Sequence, residues 1–188
     1  MLTNEETLQE TQKHIDQVRK YLDIIITSLE LRIRDHDRSK LSDPELSVFA
    51  EYTEKLRDTT YGSPEYKKHL EGMKVALDHH YKNNRHHPEF FRDKQVDGEP
   101  WDLVGRMNLV DVVEMLCDWM AATLRHADGD IQKSIQFNKK RFNMSDQLTN
   151  ILKNTVGLFE EDELLEVGPL EDTAHLIPKV TNVPRIED

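Results

Sequence analysis

The sequence predicts an all-α fold, formed by a single domain of about six helices. Three observations favour this fold class: apolar residues recur at helical spacing, signals that start and end helices separate the periodic segments, and turn-forming residues are few. Only seven glycines and seven prolines occur among the 188 residues, fewer than a turn-rich β sandwich needs. A chain of this length can bury one sizeable core.

The first predicted helix runs from about residue 4 to the mid-thirties. It begins at Thr3-Asn4-Glu5-Glu6, which has the Ser/Thr-x-x-Glu form of a helix-capping box. Apolar residues then recur at helical spacing at Leu8, Val18, Leu22, Ile25, Leu29 and Ile33. A short second helix, reaching about Leu56, is predicted after Ser42-Asp43-Pro44-Glu45, because proline is tolerated in the first turn of a helix.

The third predicted helix opens at Ser63-Pro64-Glu65, after a break at Tyr61-Gly62. Asn83-Asn84 and Pro88 are expected to end or kink it beside a cluster of histidines. One face of this helix carries Met73, Ala76, Leu77 and His80. The spacing therefore predicts that His80 points inward.

The second half of the chain predicts a loop over residues 92–105 and then three helices. The helix over 108–126 has the clearest pattern, with a predicted buried stripe formed by Val110, Val113, Cys117, Ala121 and Leu124. Asp128-Gly129-Asp130 interrupts the pattern, and a further helix is predicted over 130–141. Ser145 is expected to cap a last helix built on Leu148, Ile151, Leu152 and Val156.

The net charge of −11 is concentrated at the C-terminus, where residues 158–188 hold nine acidic and two basic residues. We therefore divide the chain into a helical domain over 1–157 and an acidic arm or tail over 158–188. Extended nucleic acid is an unsuitable partner for this surface, since it needs clustered positive charge. No apolar run approaches the roughly 18 residues of a membrane span, and the single Cys117 gives no disulfide framework. A cytoplasmic location is the expectation.

Histidine and carboxylate residues form a pattern that indicates a site for divalent metal ions. His36-Asp37 ends the first predicted helix, and residues 79–87 contain His79, His80, His86 and His87. On the helix over 108–126, one stripe carries Asp111, Glu114 and Asp118. Imidazole nitrogen and carboxylate oxygen are the donors that such ions bind. Simpler interpretations stay open: a core histidine, a charge pair at a helix end, or a carboxylate paired with Lys or Arg, which is favoured for Asp111 but not for Asp118.

This pattern resembles the HD-domain superfamily of all-helical, metal-dependent phosphohydrolases. The resemblance matches His36-Asp37 to the His-Asp pair of that superfamily, Lys40 to the lysine of its His-Asp-x-x-Lys form, and Asp118 to its distant aspartate. It implies an HD-like helical bundle whose metal ligands are His36, Asp37, His80, His86, His87 and Asp118. His86-His87, followed by Pro88-Glu89, look like the paired histidines of members with two metals.

The superfamily also carries a histidine on an early helix, and His14 is the residue that corresponds to it here. It precedes His36 by 22 residues, which is about 33 Å along an unbroken helix. His14 therefore joins the site only if the helix breaks, for instance near Ile26-Thr27-Ser28.

The span from His14 to Trp119 also looks like an uncharacterised family found in phages and bacteria, a domain of unknown function. The residues that carry this resemblance are His36-Asp37-x-Ser39-Lys40, His80-Tyr81-x-x-Asn84-x-His86-His87-Pro88-Glu89 and Glu114-Met115-x-x-Asp118-Trp119. This resemblance implies no activity. It places the protein in a bacterial cytoplasm, or in that of a host if a phage encodes it.

The HD-like resemblance implies hydrolysis of a nucleotide or another small phosphate ester. One or two divalent ions (Mn, Fe, Ni, Zn or Mg) would activate water as the nucleophile. Lys40 is expected to contact phosphate or to pair with Asp37, while Glu114 or Glu89 orients a ligand histidine or acts as a base. The expected substrate contacts are Asn84, Arg85 and Arg141.

Two other functions remain open. In the first, which a resemblance to HD-like oxygenases implies, the same residues bind two iron ions and activate dioxygen. In the second, the protein is not catalytic: the metal site is structural, and the acidic arm over 158–188 binds a basic partner or a second subunit. A homodimer is a further expectation, because the paired apolar helices leave little core to spare.

Overall fold

The computed structural model of the protein describes residues 2–57, 59, 63–94, 102–125 and 129–159. These ranges contain helices and no strands, which confirms the predicted all-α class. The described residues form seven α-helices: α1 (Asn4–Asp35), α2 (Glu45–Arg57), α3 (Pro64–Gly72), α4 (Lys74–Asn83), α5 (Leu109–Thr123), α6 (Ile131–Phe142) and α7 (Asp146–Val156). Short 3₁₀ turns cover Arg38–Leu41, Pro88–Lys94, Val104–Arg106 and Gly157–Phe159.

The long first helix is continuous, as its periodicity predicts. The Thr3 hydroxyl accepts from the Glu6 backbone N–H, and the Glu6 carboxylate accepts from the Thr3 N–H, so the predicted capping box is present. The helix does not break near Ile26-Thr27-Ser28 and ends at Asp35. Its last two turns pack against α5, where Arg32 reaches Asp111 and Glu114.

The third predicted helix is divided into α3 and α4 at Met73, and this accounts for the seventh helix. The Ser63 hydroxyl caps α3 by accepting from the Tyr66 N–H, and Pro64 occupies its first turn. Gly72 ends α3 in close contact with α2, since a Cβ there would meet the Tyr52 ring. Met73, which precedes α4, and Ala76 and His80 on that helix are buried as the shared face predicts, and α4 ends at Asn83.

Helix α5 buries a different face from the one that its apolar stripe predicts. Val113, Cys117, Ala121 and Leu124 are exposed, with Leu124 keeping 86% of its surface accessible. The residues buried instead are Asp111, Val112, Glu114, Met115, Leu116 and Trp119. The prediction was wrong because it assumed that carboxylates avoid the core, whereas Asp111 and Glu114 are paired there with cations and histidines.

The described residues form two compact units, one ending at Ser145 and one beginning at Asp146. In the first unit, the apolar core includes Phe91, Leu103, Val104, Met115, Leu116, Ile135 and Met144. In the second, α7 buries Thr149, Leu152 and Val156. Beyond Phe159, the predicted acidic arm lies outside the described residues, as do Tyr61-Gly62, His126 and Asp128. None of the described helices has both the length and the apolar character required to cross a membrane.

Candidate metal centre

The His36-Asp37 pair lies where the backbone leaves α1 and reverses direction. His36 is the residue that ends the helix, and Asp37 adopts a left-handed conformation with φ 53° and ψ 17°. Aspartate is one of the few residues that enter this region readily. The turn brings the two neighbouring side chains together, with His36 Nε2 3.6 Å from Asp37 Oδ2. The turn therefore allows the adjacent His36 and Asp37 to contribute to one donor cluster.

The second group of histidines comes from the end of α4 and the turn that follows it. His80 is in the last turn of α4, and His86 and His87 lie between that helix and the 3₁₀ turn at Pro88. The Nε2 atoms of His80 and His87 approach to 2.8 Å. Asn84 holds this turn in place, because its side-chain amide donates to the Ser39 hydroxyl at 2.7 Å and to the His80 carbonyl at 2.8 Å.

Glu114 orients two of the site histidines. One carboxylate oxygen, Oε1, lies 2.9 Å from Nδ1 of His36 and 3.2 Å from Nδ1 of His86. The other oxygen accepts from the Arg32 guanidinium at 3.2 Å. Since Nδ1 of each ring is engaged, the Nε2 atom of each ring is the one that faces the cluster.

Glu45 plays the same part for the histidines of α4, and sequence reasoning missed it. Its fully buried carboxylate lies 2.7 Å from Nδ1 of His79 and 2.8 Å from Nδ1 of His80. In the sequence, Glu45 follows Pro44 and is indistinguishable from an acidic residue that favours a helix N-terminus. No local signal separates the two roles, because the histidines that it contacts are more than thirty residues away along the chain.

Six side chains converge to form two overlapping groups of candidate metal donors. One group is His36, Asp37, His86 and Asp118, and the other is Asp37, His80, His86 and His87. Within each group, the donor atoms all lie within 4.8 Å of one another. Asp37 and His86 belong to both groups. A carboxylate has two oxygens and can serve two ions, whereas His86 has a single available nitrogen and can serve only one.

Two buried atoms at the centre of this cluster show that the donor set fits a cation. Asp37 Oδ1 and His86 Nε2 have no hydrogen-bond partner. Asp37 Oδ1 lies 3.4 Å from the Nε2 atoms of both His80 and His86. Buried polar atoms are nearly always satisfied, and a carboxylate oxygen facing several imidazole nitrogens is the environment that a divalent ion satisfies.

The electrostatic environment keeps two of the histidines neutral, which is the form that binds metal. Burial, together with the neighbouring His86 and His80, lowers the pKa of His87 to about 2. Burial also lowers the pKa of His80, with Lys40 adding to the effect. Both rings therefore present a lone pair at neutral pH.

The carboxylates at the centre are ionised, and His86 holds a proton that a cation would replace. Burial raises the pKa of Asp37, but His86 and Lys40 more than offset it and hold the pKa well below its usual range. Burial likewise raises the pKa of Glu114, but His36 and His86 lower it to about 2. Burial would lower the pKa of His86, yet the Asp37 and Glu114 carboxylates raise it to about 9.

Lys40 and Asn84, for which the sequence predicts substrate-related roles, lie in different surroundings in the structure. Lys40 forms a salt bridge with Asp37 and lies over the Phe49 ring, with Nζ 5.6 Å from its centroid. Pairing with Asp37 is one of the two interactions expected for Lys40, and it places the ammonium group at the edge of the donor cluster. Asn84 is buried and its side-chain amide is hydrogen-bonded within the protein, while its role as a substrate contact stays a prediction.

The two arginines predicted to bind substrate are both engaged in ion pairs. Arg85 contacts the fully buried Asp111 through two nitrogens, at 3.1 and 2.8 Å, and Arg32 contacts the same carboxylate at 2.7 Å. This is the pairing favoured for Asp111 from the sequence. Arg141 donates to Glu89 at 2.6 Å. Glu89 lies outside both donor groups, and one of its buried oxygens has no hydrogen-bond partner.

His14 is removed from the site by the continuity of α1. The helix is unbroken from Asn4 to Asp35, so the histidine stays about 33 Å from His36 along the axis. His14 is exposed and belongs to neither donor group. The position that the HD-like resemblance assigns to an early histidine is therefore not supplied by this residue, and His86 is the additional nitrogen beside His36, Asp37 and Asp118.

Comparison with known families gives one match. The sequence profile of a family of unknown function (DUF5662) matches residues 3–158. That range includes all six donor residues as well as Glu45 and Glu114. No curated protein and no solved structure matches the chain.

Proposed function

We propose that this chain, which belongs to the DUF5662 family of unknown function, is an HD-domain-like, metal-dependent phosphohydrolase acting on a nucleotide or another small phosphate ester. The observation that carries the proposal is the pair of overlapping donor groups, His36/Asp37/His86/Asp118 and Asp37/His80/His86/His87. The two groups share Asp37, whose two oxygens can serve two divalent ions placed side by side, and His86, which can bind one of the two ions.

Divalent ions bound by these residues would lower the pKa of a water molecule and polarise the phosphoryl oxygens of a substrate. Asp37 suits the position between two ions, because Oδ1 faces His80 and His86 while Oδ2 faces His36. Glu114 and Glu45 keep the imidazole rings fixed, so the donors need little rearrangement.

Lys40 supports a phosphorylated substrate in this proposal. Its ammonium group pairs with Asp37 at the edge of the cluster and is about a third exposed, with 31% of the side chain accessible. A metal bound to Asp37 would compete for that carboxylate, leaving the ammonium able to turn toward a phosphate oxygen. Arg32 and Arg85 are paired with Asp111, so Lys40 is the cation that this proposal assigns to the phosphate. A single cation suits a small phosphate ester.

The test is hydrolysis of nucleotides and generic phosphate esters after reconstitution with each candidate metal. Asp37→Asn and Asp118→Asn remove donor oxygens with little change in side-chain size, and both should reduce the rate at least a thousandfold. His14→Ala changes an exposed histidine outside both donor groups and should retain the wild-type rate. Wild-type rates in both aspartate variants would overturn the proposal.

The same preparation separates the proposed chemistry from its rivals. Iron as the bound metal, with a visible absorption band that changes on exposure to oxygen, would indicate dioxygen activation. A metal that stabilises the fold but supports neither reaction would favour a structural site and direct attention to the acidic segment over 158–188.

A further inference from the structure

Most of helix α1 is not covered by other described parts of the chain. It has 32 residues and buries none of them. Its partly covered residues, Ser28, Leu29 and Arg32, lie in the last two turns, where the helix packs against α5. A helix in water gains most of its stability from packing an apolar face, so the uncovered segment of α1 is a candidate contact surface.

The uncovered part of α1 carries a heptad pattern. Leu8, Ile15, Leu22 and Leu29 repeat at every seventh position, and Val18 and Ile25 occupy the positions three residues after Ile15 and Leu22. This is the a/d spacing of a coiled coil, sustained over about three heptads. We call Leu8, Ile15, Val18, Leu22 and Ile25 the α1 stripe; these residues keep between 38% and 68% of their surface exposed.

We propose that the α1 stripe is a self-association surface that packs against the same stripe of a second copy of this chain. The stripe belongs to the same face as Leu29 and Arg32, so it continues a face that α5 covers only at its end. The neighbouring Tyr21 and Ile26 are also exposed and flank the stripe at the g and e positions, so they widen the contact.

The a/d spacing and the size of the exposed apolar patch favour a second copy as the occupant. Eight large apolar side chains within nineteen residues are exposed from Leu8 to Ile26, a patch larger than monomeric proteins usually leave uncovered. A stable interface buries about 800 Å² on each partner, so the contact must extend along the whole stripe from Leu8 to Ile25.

This proposal does not depend on the metal centre. It concerns a part of α1 remote from His36, and the polar Arg32, which occupies the next d position, marks the point where the stripe ends and contacts with Asp111 and Glu114 begin. Other occupants, such as a segment of the same chain beyond Phe159 or an unrelated protein, predict a monomer for the purified full chain.

The test is the mass of the purified full-length chain by light scattering and sedimentation across a dilution series. Wild type should have twice the 22.1 kDa chain mass. Val18→Glu/Ile25→Glu places charges in the stripe and should give a helical monomer by circular dichroism. The matched control Val75→Glu/Ile151→Glu changes exposed apolar residues on α4 and α7 and should remain a dimer.

A milder pair of substitutions keeps the test decisive if the charged variant misfolds. Val18→Ala/Ile25→Ala preserves helix propensity and should raise the dimer dissociation constant at least about tenfold. A monomeric wild type would overturn the proposal, and so would a dimer whose dissociation constant is unchanged in both stripe variants.

Discussion

At the scale of single residues, the centre depends on which nitrogen of each imidazole faces the cluster. Glu114 holds Nδ1 of His36 and His86, and Glu45 holds Nδ1 of His80. The donor residues were predictable because histidine and aspartate at this spacing have a recognisable chemistry. Glu45 was not, because a buried carboxylate and an ordinary acidic residue in a first helical turn have the same local sequence.

Removing the orienting carboxylate should weaken metal binding without removing a donor. Glu114→Gln can no longer stabilise the two imidazoles as an anion, so the affinity for the metal should fall about 10–100-fold. Competition with a chromogenic chelator measures this. A useful comparison is Glu30→Gln, an exposed residue on α1, which should leave the affinity unchanged. Equal affinities for wild type and Glu114→Gln would exclude this role.

The left-handed conformation of Asp37 allows its backbone and carboxylate roles to be separated. Asp37→Asn keeps a residue that tolerates positive φ and should fold normally while losing the metal. Asp37→Ala adds a backbone cost of about 1 kcal/mol and should also lower the melting temperature. Thermal unfolding of both variants in the presence of a chelator shows the difference; identical melting temperatures would contradict the backbone argument.

Metal affinity should rise with pH. The pKa of His86 is raised to about 9, so this ring is protonated at neutral pH and the metal must displace the proton. Affinity should increase roughly tenfold per pH unit from 6.5 toward 9 and then level off. The proton also stabilises the metal-free protein below its unfolded-state pKa of about 6.5, and that stabilisation is lost as the pH rises through 9. Calorimetric titration between these pH values checks the prediction, and a flat profile would refute it.

At the scale of elements, α1 and α5 are joined through one buried carboxylate. Asp111 accepts from Arg32 of α1 and from Arg85 after α4, and it also completes a capping box with Asn108 at the start of α5. Helix existence was predictable here from periodicity and capping signals. The buried face of α5 was not, because its orientation is set by two arginines and two histidines that lie far away in the sequence.

Loss of the Asp111 carboxylate should destabilise the fold as a whole. Asp111→Ala removes the ion pair of Arg85, leaves Arg32 with Glu114 alone and removes half of the capping box of α5, which should lower the free energy of unfolding by about 3 kcal/mol. Urea denaturation measures the change. The control, Asp35→Ala, removes a pair with Arg34 that is solvent-exposed and should cost less than about 1 kcal/mol. Similar midpoints for the two variants would show that Asp111 has no special structural role.

At the scale of the whole molecule, the all-α class followed from periodicity and from the scarcity of turn residues. Residue types and their spacing predict the donor cluster, whereas His14 is excluded from that cluster only by the continuity of α1. The third predicted helix divides at Met73, next to the close approach of Gly72 to Tyr52, which is a contact between two helices that no local pattern encodes. What the sequence leaves open is therefore set by contacts between distant segments.

The most direct test of the metal centre is elemental analysis of the purified protein, wild type beside His36→Ala and His14→Ala. The donor geometry predicts up to two equivalents of a divalent metal in the wild type, a reduced content in His36→Ala, and the wild-type content in His14→Ala. No metal in the wild type, even after reconstitution at neutral pH, would contradict the account and leave these histidines as a buried hydrogen-bonded network.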